Sequence, residues 1–106
     1  MLQEEFNNIV TNQMKKCWET LFNKGNEYAT VGNDRLLHFK KAATVMESTP
    51  KAALFGMLSK HLISLSDMCM DKRKHPKEVW SEKITDSINY LLILAAIVEE
   101  KQIEQD

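Results

Sequence analysis

Apolar side chains recur at helical spacing through most of the chain, and no stretch alternates with polar residues in the manner of a strand. Phe6, Ile9, Val10, Cys17 and Leu21 mark one side of a first helix expected from about Gln3 to Lys24, and Met14 and Trp18 widen that side. The stretch "GNEYATVGND", with Gly25 and Gly32 bracketing it, is expected to be a loop. A second helix is expected from about Asp34 to Glu47, capped by Asn33 or Asp34, whose short side-chain oxygens accept from the free N–H groups of a first turn. The third opens at "STPKAAL", with Thr49 as the N-cap and Pro50 in the first turn, where its missing N–H is not needed, and runs to about Met70. Leu54, Met57, Leu58, His61, Leu62, Leu65, Met68 and Cys69 share one side of it. After "DKRKH", Pro76 opens a fourth helix that reaches about Ile103. The pattern predicts an all-α protein, a compact bundle of about four helices forming one domain over residues 1–106.

The fourth helix departs from an ordinary amphipathic pattern. Val79, Trp80, Ile84, Ile88, Leu91, Leu92, Leu94, Ala95 and Val98 take up nearly its whole circumference. A helix apolar all round is a buried helix, and one domain of 12.3 kDa has too little material to enclose it. A homo-oligomer built through this C-terminal helix is therefore expected. One polar row interrupts the apolar surface. With about 100° per residue, Asp86, Asn89 and Ile93 all fall within about 40° of Glu82. Two carboxylates one turn apart can share a hard cation or accept hydrogen bonds from one polar ligand. The simpler alternative is a solvated acidic turn that complements the helix dipole. Tyr90 and Ile93 flank the row and favour partial burial, and a buried carboxylate needs a partner.

Two further groups carry chemistry. In "SKHLISLSD", Lys60, Ser64 and Asp67 share a face of the third helix, with His61 at its edge. Lys60 and His61 suit a phosphate, while Asp67 can join Glu82 and Asp86 around a cation; a histidine at the core edge beside a salt-bridged lysine is the plainer reading. In "GNDRLLHFKKAA", Arg35 offers a planar fork for phosphate or carboxylate beside a helix N-terminus, and His38 lies three residues on. Phe39 can stack on a base, although core packing is the readier account of it. Together these groups supply what a nucleotide site needs. No glycine-rich phosphate loop, nucleophile elbow or paired Cys/His motif is present.

Composition narrows the classes. A net charge of −1 provides no polybasic surface for non-specific nucleic-acid binding. The longest apolar run, Tyr90 to Val98, is far shorter than the roughly 20 residues that span a bilayer. The opening "MLQEEFNNIV" lacks a basic stretch before an apolar one, so neither a signal peptide nor a membrane partner is expected. Cys17 and Cys69 fit no metal or redox spacing and are expected to be buried free thiols in a reducing cytoplasm.

"NDRLLHFKKAA", "TPKAALFGMLSKHLISLSDM" and "WSEKITDSINYLLILAAIVEE" resemble small phage and prophage proteins akin to the nucleotide modification associated domain 1 family. The resemblance spans roughly residues 24–100. Its most specific parts are the segments holding Lys60, His61, Ser64 and Asp67, and Glu82, Lys83, Asp86, Asn89 and Tyr90. It implies an all-α protein of nucleotide metabolism or recognition in phage-infected bacteria. A more distant similarity links the chain to the MazG-type all-α nucleoside triphosphate pyrophosphohydrolases, which hold Mg²⁺ with E-x-x-E and E-x-x-D motifs. Here Glu82 and Asp86 stand four apart rather than three, and the first motif has no counterpart.

The function expected is that of a phage-type protein, acting in the host cytoplasm, that binds a nucleotide or nucleotide-derived signal and sequesters a host immune messenger without a cofactor. Arg35, His38, Phe39, Lys60, His61, Ser64, Glu82, Asp86, Asn89 and Tyr90 form its candidate ligand site. The alternative is a Mg²⁺-dependent nucleotide hydrolase using Asp67, Glu82 and Asp86 as metal ligands. A third is a structural or protein-interaction module.

Overall fold

The computed structural model describes residues 1–28 and 34–105, with side chains described for 1–23 and 34–100. Four helices account for the described chain: α1 (Gln3–Tyr28), α2 (Leu37–Val45), α3 (Pro50–Met70) and α4 (Lys77–Gln105). The protein is all-α, as the periodicity predicts. α3 and α4 form the central pair, with α2 laid on α3 and α1 on α4. Leu54 clusters with Ile97, and the His61 ring lies 5.2 Å from that of Tyr90, which is the register of an antiparallel hairpin.

The helix ends follow from local chemistry. The Thr49 hydroxyl accepts from the Ala52 N–H at 3.2 Å, and Pro50 occupies the first turn, as expected. The carbonyl of Pro76 accepts from the N–H groups of Val79 and Trp80 at the start of α4. α1 extends past the predicted Lys24 to Tyr28, since a single glycine such as Gly25 costs a helix only about 1 kcal/mol and does not stop it. α2 is shorter than predicted at both ends. Asp34 does not cap it directly; its Oδ1 accepts from the Leu36 N–H at 3.0 Å and closes a turn one step earlier. The alternative cap, Asn33, and Gly32 lie outside the described residues. At the other end, Glu47 takes φ 50°, the Ser48 N–H reaches the Ala43 carbonyl and the Glu47 N–H that of Thr44, a Schellman closure.

Leu36, Phe39, Leu54 and Ile97 form the core, with Met57, Tyr90, Ile93 and Leu94 packed against it. Leu58 and Ala53 are fully enclosed beside them. Cys17 is buried, but Cys69 is exposed, so only one of the two free thiols meets the expectation. Cys69 and Met70, in the last turn of α3, are exposed, whereas Met68 beside them is buried. α4 buries Ile97 but leaves Leu91, Leu92 and Val98 between 42% and 53% exposed, so the chain covers only part of this helix's apolar surface.

One charge cluster ties α2 to α4. The Lys40 ammonium lies 2.9 Å from Glu100 and 2.9 Å from Asp34. The hydrogen bond to Glu100, then that to Asp34, raises the Lys40 pKa, and the bond from Lys40, then that from the Leu36 N–H, lowers the Asp34 carboxyl below its usual range. All three side chains are about a third exposed, so solvent screening reduces their worth. Lys40→Met is expected to cost about 0.5–1 kcal/mol at neutral pH. A depressed carboxyl stabilises the fold above its unfolded pKa and loses that contribution as pH falls through the folded value; the raised lysine loses its share only in strong alkali. The difference between wild type and variant in urea unfolding is therefore flat around neutrality and shrinks below about pH 4.

Candidate functional site

The later part of the polar row of α4, Asp86 and Asn89, lines a cleft between α4, α3, α1 and the turn that leads into α2. Asp86, Asn89 and Tyr90 supply one wall, with Ile93 above them. Arg35 and His38 stand opposite, Phe39 and Met57 form the floor, and Leu21 of α1 closes one side. The cleft holds about 90 Å³, and it joins a wider apolar one of about 540 Å³ that shares Leu21, Arg35 and Ile93 and adds Phe22, Leu36, Leu92 and Ala96. Arg35 stands at the junction, where its Nη2 donates to the Leu21 carbonyl at 3.4 Å.

Burial along the row is graded. Glu82, nearest the start of α4, is exposed, Asp86 is half-buried and Asn89 is buried, with 7% of its surface left. Asp86 and Asn89 lie beside Arg35, His38 and Met57, whereas Glu82 does not. His61 reaches across from α3, its Nδ1 4.0 Å from the Asp86 Oδ2, and its ring tilts 40° against Tyr90. Both members of the His61–Asp86 pair keep about a fifth of their side chains exposed. Asn89 Oδ1 and His61 Nδ1 are buried without a hydrogen-bond partner. An unsatisfied buried acceptor costs about 1–3 kcal/mol unless a bound molecule supplies the missing donor.

The structure thus brings Arg35, His38, Phe39, Asp86, Asn89 and Tyr90 to one cleft, with His61 beside it. Phe39 packs in the core, 5% exposed, and also lines the cleft. The His38 ring meets it edge-on at 5.6 Å. Lys60, Ser64 and Glu82 line none of the clefts found among the described residues; Lys60 and Glu82 are exposed and Ser64 is half-buried. Asp67 is exposed too. Among the described residues, no three His, Cys, Asp or Glu side chains converge as metal ligands, so Asp67, Glu82 and Asp86 do not make a Mg²⁺ site together.

Sequence reasoning missed how α1 joins the cleft. Gln13 Nε2 donates to the Thr85 hydroxyl at 2.8 Å and to the Cys17 sulfur at 3.3 Å, and the Lys16 ammonium donates to the Ser81 hydroxyl. Thr85 is 3% exposed, so this bond satisfies a hydroxyl deep in the α1–α4 contact. The signal was present: Gln13 is a polar residue set among Ile9, Val10 and Cys17 on an apolar side.

No family model, no curated protein and no solved structure matches this chain.

Proposed function

We propose that the protein is a binding module for a nucleotide or nucleotide-derived signal, held in the cleft between Arg35 and the Asp86–Asn89–Tyr90 wall. The observation that carries this reading is the Asn89 amide, buried with its Oδ1 unpartnered in a cleft that also presents a guanidinium, a carboxylate and two aromatic rings. An amide acceptor and a carboxylate side by side suit ligand donors such as ribose hydroxyls or an exocyclic amine. Arg35 suits a phosphate, and Tyr90 and Phe39 offer faces to a base. The narrower cleft accepts one such moiety, and the wider apolar one beside Arg35 accommodates the remainder.

The resemblance to small phage proteins extends the proposal to sequestration of a host immune messenger in the bacterial cytoplasm. The homo-oligomer belongs to the same proposal, supported by the exposed Leu91, Leu92 and Val98 of α4. Metal-dependent hydrolysis is the weaker reading, because it requires convergent carboxylates, whereas Asp67 and Glu82 are exposed and no three candidate ligands converge among the described residues. No helix among the described residues is long and apolar enough to cross a membrane.

The test is incubation with a panel of linear and cyclic nucleotides, with and without Mg²⁺, followed by removal of free ligand and heat denaturation. Recovery of one panel member intact, to the same extent with and without Mg²⁺, is expected. New products that depend on Mg²⁺ would replace this reading with the hydrolase.

A further inference from the structure

His61 stands one turn on from the buried Leu58 of α3, and its ring packs on Tyr90 of α4 with the centroids 5.2 Å apart. Its Nδ1 is nevertheless buried without a hydrogen-bond partner. The Asp86 Oδ2 lies 4.0 Å from that nitrogen, beyond hydrogen-bond range but close enough for the carboxylate charge to act on it. A neutral imidazole carries its proton on one nitrogen or the other. With a bare lone pair, Nδ1 would face a carboxylate oxygen and repel it. With the proton there, the same two atoms attract, and an approach of about 1 Å makes a charge-assisted hydrogen bond. Both side chains keep about a fifth of their surface exposed, so neither is packed too tightly to make that approach.

His61 does not line the cleft, whereas Asp86 and Tyr90, its two neighbours on α4, both do. We infer that His61 is a positioning residue for the cleft: it carries its proton on Nδ1 and holds the Asp86 carboxylate in one orientation for the ligand. This rests on the reading of the cleft as the ligand site, and it gives His61 a different part from the phosphate contact expected from the sequence. The placement suits the task. α3 is a regular helix of 21 residues whose Leu54 shares the core with Ile97 of α4, so the imidazole is mounted on a rigid element. A carboxylate free to change rotamer has to be ordered when a ligand arrives, at a cost in entropy; one already held does not.

The experiment is nuclear magnetic resonance of the full chain without nucleotide, so the inference stands or fails apart from the ligand proposal. Long-range proton–nitrogen spectra at about pH 8, where an ordinary histidine is neutral, read which ring nitrogen is protonated. His61 is expected as the Nδ1–H tautomer, and in Asp86→Ala as the Nε2–H tautomer that histidine favours when neither nitrogen has a partner. Three-bond couplings between the α and β protons of Asp86 read its rotamer. A single rotamer is expected in wild type and in His61→Asn, whose amide nitrogen stands as many bonds from Cβ as Nδ1 does and donates in its place. Averaging is expected in His61→Phe, which keeps a ring against Tyr90 but has no donor. Calorimetric titration with the nucleotide recovered from the panel should follow the same order, with His61→Asn near wild type and His61→Phe about tenfold weaker. An Nε2–H tautomer in wild type overturns the inference, as does a tautomer that Asp86→Ala leaves unchanged. An Asp86 rotamer or a nucleotide affinity that His61→Phe leaves unchanged overturns it too.

Discussion

Arg35→Ala is expected to weaken binding of the recovered nucleotide by roughly ten- to hundredfold, the equivalent of one charged hydrogen bond worth about 1.5–3 kcal/mol. The guanidinium stands where the two clefts meet and donates to the Leu21 carbonyl at the long end of hydrogen-bond range, and its planar geometry suits a phosphate. Arg35→Lys separates charge from shape. A lysine restores the positive charge but not the planar fork, so it recovers only part of the affinity. Titration calorimetry on the three proteins reads this order directly. Equal affinities across the three would remove Arg35 from the site and leave it as a tie between α1 and the turn before α2.

The second large effect concerns Asp86. Asp86→Asn keeps the shape and one acceptor but removes the charge, and affinity is expected to fall about tenfold with no change in Mg²⁺ dependence. A metal ligand would behave differently: any activity would drop by orders of magnitude and its metal dependence would vanish. A surface acid that only complements the start of α4 would lose a few tenths of a kcal/mol of stability and no function. The position of Asp86, half-buried and 4.0 Å from the His61 Nδ1, favours the first outcome over the last.

The fold was legible where periodicity and capping chemistry act locally. The Thr49–Pro50 start of α3 and its end at Met70 follow from side-chain rules alone. The boundaries of α2 did not, because an Asp34 side chain that closes a turn looks the same in sequence as one that caps a helix. The candidate site was partly legible. A repeat of three and four residues places Glu82, Asp86 and Asn89 in a row, but not how far the row is buried, which depends on where α2 and α3 cross α4. The same rule put Lys60, Ser64 and Asp67 on one face, and that face turned out to be mostly solvent-facing. The position of Gln13 on the apolar side of α1 was visible in the sequence, but its partner Thr85, 72 residues away, and the place of Leu21 in the cleft arise from long-range packing.

The central claim is that Asn89 is held buried for a ligand rather than for the fold, and Asn89→Leu tests it most directly. Leucine keeps the branched outline of asparagine, though it is bulkier, and removes an acceptor that has no partner, so the urea-unfolding stability of the free protein is expected to hold or rise by up to about 1 kcal/mol. Calorimetric titration of the same variant with the recovered nucleotide should show affinity reduced at least about tenfold, since the ligand loses a hydrogen bond and meets an apolar wall. A variant that loses stability and binds its ligand as tightly as wild type would contradict the account.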